Sequence, residues 1–153
     1  MDDTSLKIMQ LSAQGFCCSQ MMIMMALEDQ GEENPALVRS MSALCQGIGQ
    51  SGGICGAVSG GACVLGLYAA KGSPDEEEHE KYKLMVSELM DWFENMTSDE
   101  YGGATCDAIT GGANVPEMGI CGTIVERTRN KVLELLAEND IDPTVPKGSE
   151  NAF

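Results

Sequence analysis

Apolar positions along most of the chain recur at spacings of three and four, the period of a helix with one buried face. The clearest case covers residues 75–96. There Tyr82, Met85, Leu89, Trp92, Phe93 and Met96 share a stripe that Glu80, Lys81, Lys83 and Glu94 avoid. Its expected start follows Ser73 and Pro74, with Asp75 to Glu78 as an acidic first turn that complements the positive end of the helix dipole. A second long helix is expected over residues 121–139, with Ile124, Thr128, Val132, Leu135 and Leu136 on its stripe and Arg127, Arg129, Lys131 and Glu134 off it. Residues 3–13, 18–29 and 35–45 read as three more helices, the last with Pro35 in its first turn. No hairpin signature or internal repeat interrupts the pattern. The expected fold class is all-α, a compact helical bundle.

Residues 40–70 break this amphipathic rhythm: they hold eight glycines and no charge, and such a run is expected to be buried. Its apolar half, residues 54–70, is 17 residues long and interrupted by Ser59 and four glycines, short of a membrane span. The reading is a glycine-rich central helix in the bundle. Gly56 and Gly60 lie one turn apart, as do Ala57 and Gly61, so neighbouring backbones can approach those faces. Each interior glycine costs a helix about 1 kcal/mol relative to alanine, so several together require a packing or cofactor reason. After Ile141 the chain carries Pro143, Pro146 and Gly148, and residues 142–153 are expected to form a surface tail on a single domain.

Charge narrows the function classes. Nine basic against 24 acidic side chains give a formal charge of −15, which repels phosphate backbones and anionic lipid, so neither nucleic acid nor a membrane is an expected partner. The acidic opening Met1-Asp2-Asp3-Thr4 is unlike the basic start of a secretory leader, and the expected compartment is the cytoplasm. There thiols are kept reduced, so seven cysteines point to metal or redox chemistry before a disulfide framework. No C-x-x-C occurs, which removes thioredoxin-type and zinc-ribbon motifs and covalent c-type haem, and the lone His79 rules out a multi-histidine site. No Ser-His-Asp set, phosphate loop or dinucleotide fingerprint is present. Asp99, Glu100 and Asp107 have no converging partners in sequence, and the acidic run around His79 reads as a solvated helix start. Met21, Met22, Met24 and Met25 offer soft thioethers, yet they surround Ile23 and read as adaptable core or interface packing. Together with only seven aromatic residues, they point to a homodimer.

Four cysteines share a local context. Cys18, Cys55, Cys106 and Cys121 each follow a glycine by two to four residues and stand near an expected helix start. Backbone N–H groups and the dipole at such a position favour thiolate, and a preceding glycine lets the backbone approach a cluster. Intervals of 36, 50 and 14 intervening residues match no compact ferredoxin or finger pattern, so the alternative is that each is a small buried hydrophobe. That alternative is the expectation for Cys17, Cys45 and Cys63.

The segments Gly15-Phe16-Cys17-Cys18-Ser19-Gln20 and Gly53-Ile54-Cys55-Gly56-Ala57-Val58-Ser59-Gly60, with Val64-Leu65-Gly66-Leu67, Cys106 and Cys121, resemble the C_GCAxxG_C_C family of redox-active proteins. The resemblance runs from about Lys7 to Leu136 and assigns the family's four cysteines to Cys18, Cys55, Cys106 and Cys121. A similar module precedes the haem region of split-Soret cytochromes, where an iron–sulfur centre is associated with it; the resemblance therefore implies a [2Fe–2S] or [4Fe–4S] cluster on these four residues. The chain lacks a haem attachment site and has Cys17 where a polar residue is usual, so two adjacent sulfurs compete for one ligand position. Three functions follow as expectations. The first is electron transfer or redox sensing by an iron–sulfur cluster, exchanging electrons with a redox partner protein that the sequence does not identify. The second is thiol–disulfide chemistry by Cys55 with Cys18, Cys106 or Cys121, and the third is a structural zinc module held by the same four thiolates.

Overall fold

The computed structural model describes residues 2–112 and 118–148. Among them are seven α-helices: α1 (Asp3–Ala13), α2 (Cys18–Gln30), α3 (Pro35–Met41), α4 (Gly56–Ala69), α5 (Tyr82–Tyr101), α6 (Cys106–Thr110) and α7 (Met118–Glu138), with a 3₁₀ turn at Ser42–Leu44. The fold is all-α. Helix α4 is the centre, packed against α2 on one side and against α5 and α7 on the other. Its glycines explain how. A Cβ on Gly60 would stand 2.9 Å from Ser19 Cα of α2, and one on Gly61 would meet Leu89, Thr128 and Val132 of α5 and α7 at 3.2–3.3 Å. The Gly56/Gly60 face thus receives the α2 backbone, and the Ala57/Gly61 face receives side chains of the two long helices.

The expected stripes are the core. Met85, Leu89, Phe93 and Met96 of α5 are buried, as are Ile124, Thr128, Val132, Leu135 and Leu136 of α7. On α2, Met21, Met22 and Met25 fill the core around Ile23, which makes them packing residues. At the helix boundaries, Asp2 caps α1, Asn34 caps α3 beside Pro35, and Gly102 ends α5 with φ +82°, a conformation cheap only for glycine.

Three expectations change. Helix α5 starts at Tyr82 rather than Asp75, because the preceding acidic residues serve the turn: Gly72 N–H donates to Glu76 Oε1 at 2.7 Å and His79 N–H to the Ala69 carbonyl at 2.8 Å, capping the end of α4. The uncharged run is not buried throughout. Residues 42–54 form a loop at the surface, with Ile48 55% exposed, because lack of charge there reflects backbone conformation instead of burial. Five consecutive residues from Gln46 to Gln50 have positive φ, a left-handed turn that includes the β-branched Ile48. Finally, residues 142–148 of the expected tail run along the body, where Tyr68 donates to the Pro143 carbonyl at 2.7 Å and Lys147 to the Glu77 carbonyl at 3.0 Å. The remainder of that tail, 149–153, lies outside the described residues.

Candidate four-cysteine centre

Each of the four predicted cysteines stands at or near a helix start. Cys18 is the first residue of α2, Cys55 precedes α4 as its cap residue, Cys106 is the first residue of α6, and Cys121 is the fourth of α7. Gly119 lies inside α7, so the glycine turn expected before Cys121 is a helical first turn instead. Cys55 and Cys121 are each 7% exposed, while Cys18 and Cys106 are half-buried.

A small piece of β-structure aligns two of them. Ile54 and Thr105 form an isolated antiparallel bridge; Cys55 N–H donates to the Ala104 carbonyl at 3.0 Å and Cys106 N–H to the Gly53 carbonyl at 2.7 Å. Asp107 N–H donates to the Gly52 carbonyl at 3.3 Å, and the Asp107 carboxylate lies where a side chain on Gly52 would project. Segments with 50 residues between Cys55 and Cys106 are thereby held side by side. A Cβ on Gly56 would be 3.6 Å from Cys18 Cβ, so close packing of α2 on α4 brings Cys18 to the same place.

The thiols act on one another. Cys18 is held well above the ordinary thiol range by a hydrogen bond to Cys121, which keeps the proton on Cys18, then by burial and by the proximity of Cys121, Cys55 and Cys106. Burial pushes Cys55 up to about 11; the N–H groups of Ala57 and Val58 draw it down without closing a cap hydrogen bond, and Cys121 and Cys106 raise it again. Cys106 is raised by burial, then by Cys121 and Asp107. A helix start by itself favours thiolate. Here burial and mutual repulsion outweigh that effect at Cys18, Cys55 and Cys106 and favour the protonated thiol at each. The structure therefore brings the four cysteines the sequence singled out within electrostatic reach of one another, although among the described residues no three His, Cys, Asp or Glu side chains are arranged so that they could hold a metal ion.

The other three cysteines depart from the buried-hydrophobe expectation. Cys17 and Cys45 form a disulfide with Cα atoms 6.1 Å apart, and Cys63 is exposed on α4. Sequence reasoning missed the pair because the expected reducing compartment and the odd cysteine count argued against any disulfide. The available signal was Cys45 itself, in the uncharged segment that leads to Cys55. A separate cleft of about 860 Å³ lies between α1, α2 and α3, with Phe16, Met24, Leu27 and Val38 on its walls, and none of the seven cysteines lines it.

Residues 16–135 match the family described as Putative redox-active protein (C_GCAxxG_C_C). The chain belongs to this family. The C_GCAxxG_C_C match covers all four converging cysteines, and together they support a redox role. No curated protein and no solved structure matches the chain significantly. Among the described residues no helix is long and apolar enough to cross a membrane.

Proposed function

We propose that Cys18, Cys55, Cys106 and Cys121 bind an iron–sulfur cluster and that the protein carries or senses electrons through it. The observation that supports this reading is the convergence of four thiols, from four separate segments, at helix starts and a backbone bridge. The donor set fits: four sulfurs are the full complement of a [2Fe–2S] or [4Fe–4S] cluster. Such a cluster supplies one-electron chemistry when bound. The protein contributes the sulfurs, the half-buried setting, and the N–H groups of Ala57 and Val58 beside Cys55. The protons that burial and repulsion hold on these thiols would leave as the sulfurs coordinate a cationic core, which couples binding to pH. The same protons weaken the thiol–disulfide reading for Cys55. With its thiol near 11, only about one molecule in ten thousand carries the thiolate nucleophile at pH 7.

Anaerobic purification with a visible spectrum and quantification of iron, zinc and acid-labile sulfide tests the proposal on the native chain and on Cys55→Ala. The expected result is brown protein with equal iron and sulfide, both lost in the variant while its circular dichroism is retained. Stoichiometric zinc in colourless protein would instead identify a structural zinc module on the four cysteines. Colourless, metal-free protein with titratable thiols would overturn both.

A further inference from the structure

The Cys17–Cys45 disulfide is distinct from the family's four cysteines and has a setting of its own. It ties the start of α2 to the end of the 3₁₀ turn at Ser42–Leu44. Both partners are half-buried. A chain of this length with an extensive apolar core has little need of a covalent tie for stability. Five other cysteines in the chain stand outside any disulfide.

One buried side chain faces the bond. Ser19 is fully buried; its hydroxyl donates to the Met41 carbonyl at 2.7 Å and lies 3.0 Å from Cys45 Sγ and 3.7 Å from Cys17 Sγ. A hydroxyl has one proton, which here goes to the Met41 carbonyl, so at rest Ser19 presents its oxygen to the disulfide. Rotation about its Cβ–Oγ bond would turn that proton from the Met41 carbonyl to Cys45 Sγ, 3.0 Å away, as charge develops there when the bond breaks. The Leu44 carbonyl, one residue before Cys45, is 3.3 Å from where a side chain on Gly56 would begin, which places the pair beside the four-thiol centre.

We infer that Cys17–Cys45 is a second redox centre, a two-electron thiol–disulfide couple that exchanges with a dithiol. One thiolate of the dithiol attacks Cys17 Sγ, forming a mixed disulfide, while the Cys17–Cys45 bond breaks and its electron pair leaves on Cys45 Sγ against the Ser19 hydroxyl. The second thiol of the donor, deprotonated by solvent, attacks its own sulfur in the mixed disulfide and releases Cys17. Cys17 and Cys45 take up two protons in all, matching the two lost by the dithiol. The dithiol is oxidised to a disulfide and the pair is reduced by two electrons. Ser19 is a positioning residue in this step. The couple operates whether or not the four-thiol centre carries a cluster.

The test uses dithiothreitol on the native chain, without denaturant, with alkylation and peptide mass spectrometry as the readout and circular dichroism as the control for folding. The pair is expected to open with reduced and close with oxidised dithiothreitol while the fold persists. A bond that opens only when the protein unfolds would overturn the inference and leave a structural cross-link. Glutathione, a monothiol, reads the direction of attack: the adduct is expected on Cys17, and in Ser19→Ala that preference should fall about tenfold. An adduct mainly on Cys45, or an unchanged ratio in a folded Ser19→Ala variant, would overturn the role given to Ser19.

Discussion

Cys55 shows how opposing effects at one residue are ranked by magnitude. Its position before α4 favours the thiolate, but the residue is 7% exposed and near other cysteines, and the net result is a thiol pushed up to about 11 from an ordinary 9.0. The folded state then binds the proton more tightly than the unfolded chain. Stability linked to this residue is complete below pH 9 and declines as pH rises from about 9 to about 11, where the unfolded thiol ionises first. Two units correspond to about 3 kcal/mol for this residue. Cys18 and Cys106 shift in the same direction. Urea titrations of metal-free, thiol-reduced protein should therefore show a lower midpoint at pH 10 than at pH 7.5. Cys55→Ala should reduce that pH dependence.

Among the elements, α4 carries the heaviest constraint, and its glycines differ in kind. Gly60 and Gly61 both gain up to about 1 kcal/mol in helix propensity when replaced by alanine. At Gly60 the new Cβ would meet backbone, Ser19 Cα at 2.9 Å, and α2 cannot withdraw without moving Cys18 and the Ser19 hydroxyl. At Gly61 it would meet the tips of Leu89, Thr128 and Val132 at 3.2–3.3 Å, which need to give only a few tenths of an ångström. Overpacking typically costs about 1–3 kcal/mol, so Gly60→Ala is expected to destabilise by about 1–2 kcal/mol and Gly61→Ala to stay within about 1 kcal/mol of the native chain. Chemical denaturation of both variants checks the difference. Gly60→Ala should also raise the alkylation rate of Cys18, because α2 is displaced from α4.

On the scale of the whole molecule, the chain's end is tied to its centre through Tyr68. Burial pushes this phenol up to about 12, so it remains a hydrogen-bond donor across the working pH range, with the Pro143 carbonyl as acceptor at 2.7 Å. Tyr68→Phe keeps the ring in the core but removes that bond, with an expected loss of about 1 kcal/mol and faster proteolysis near residue 143. The same long-range view separates what was legible in the sequence. The apolar stripes of α5 and α7, the bounds of α1, the helix-packing role of Gly56 and Gly60, and the placing of Cys18, Cys55 and Cys106 at helix starts were readable because helical period and glycine context are local properties. The late start of α5 was not, since the carbonyl of Ala69 and the N–H of His79 meet only after the chain turns back. Nor were the Ile54–Thr105 bridge, the left-handed run from Gln46 to Gln50, and the partnership of Cys17 with Cys45. By itself the sequence determined which segments are helical and which sulfurs stand out. Only the tertiary structure decided which sulfurs meet and whether they hold their protons, because proximity and desolvation arise when distant segments pack.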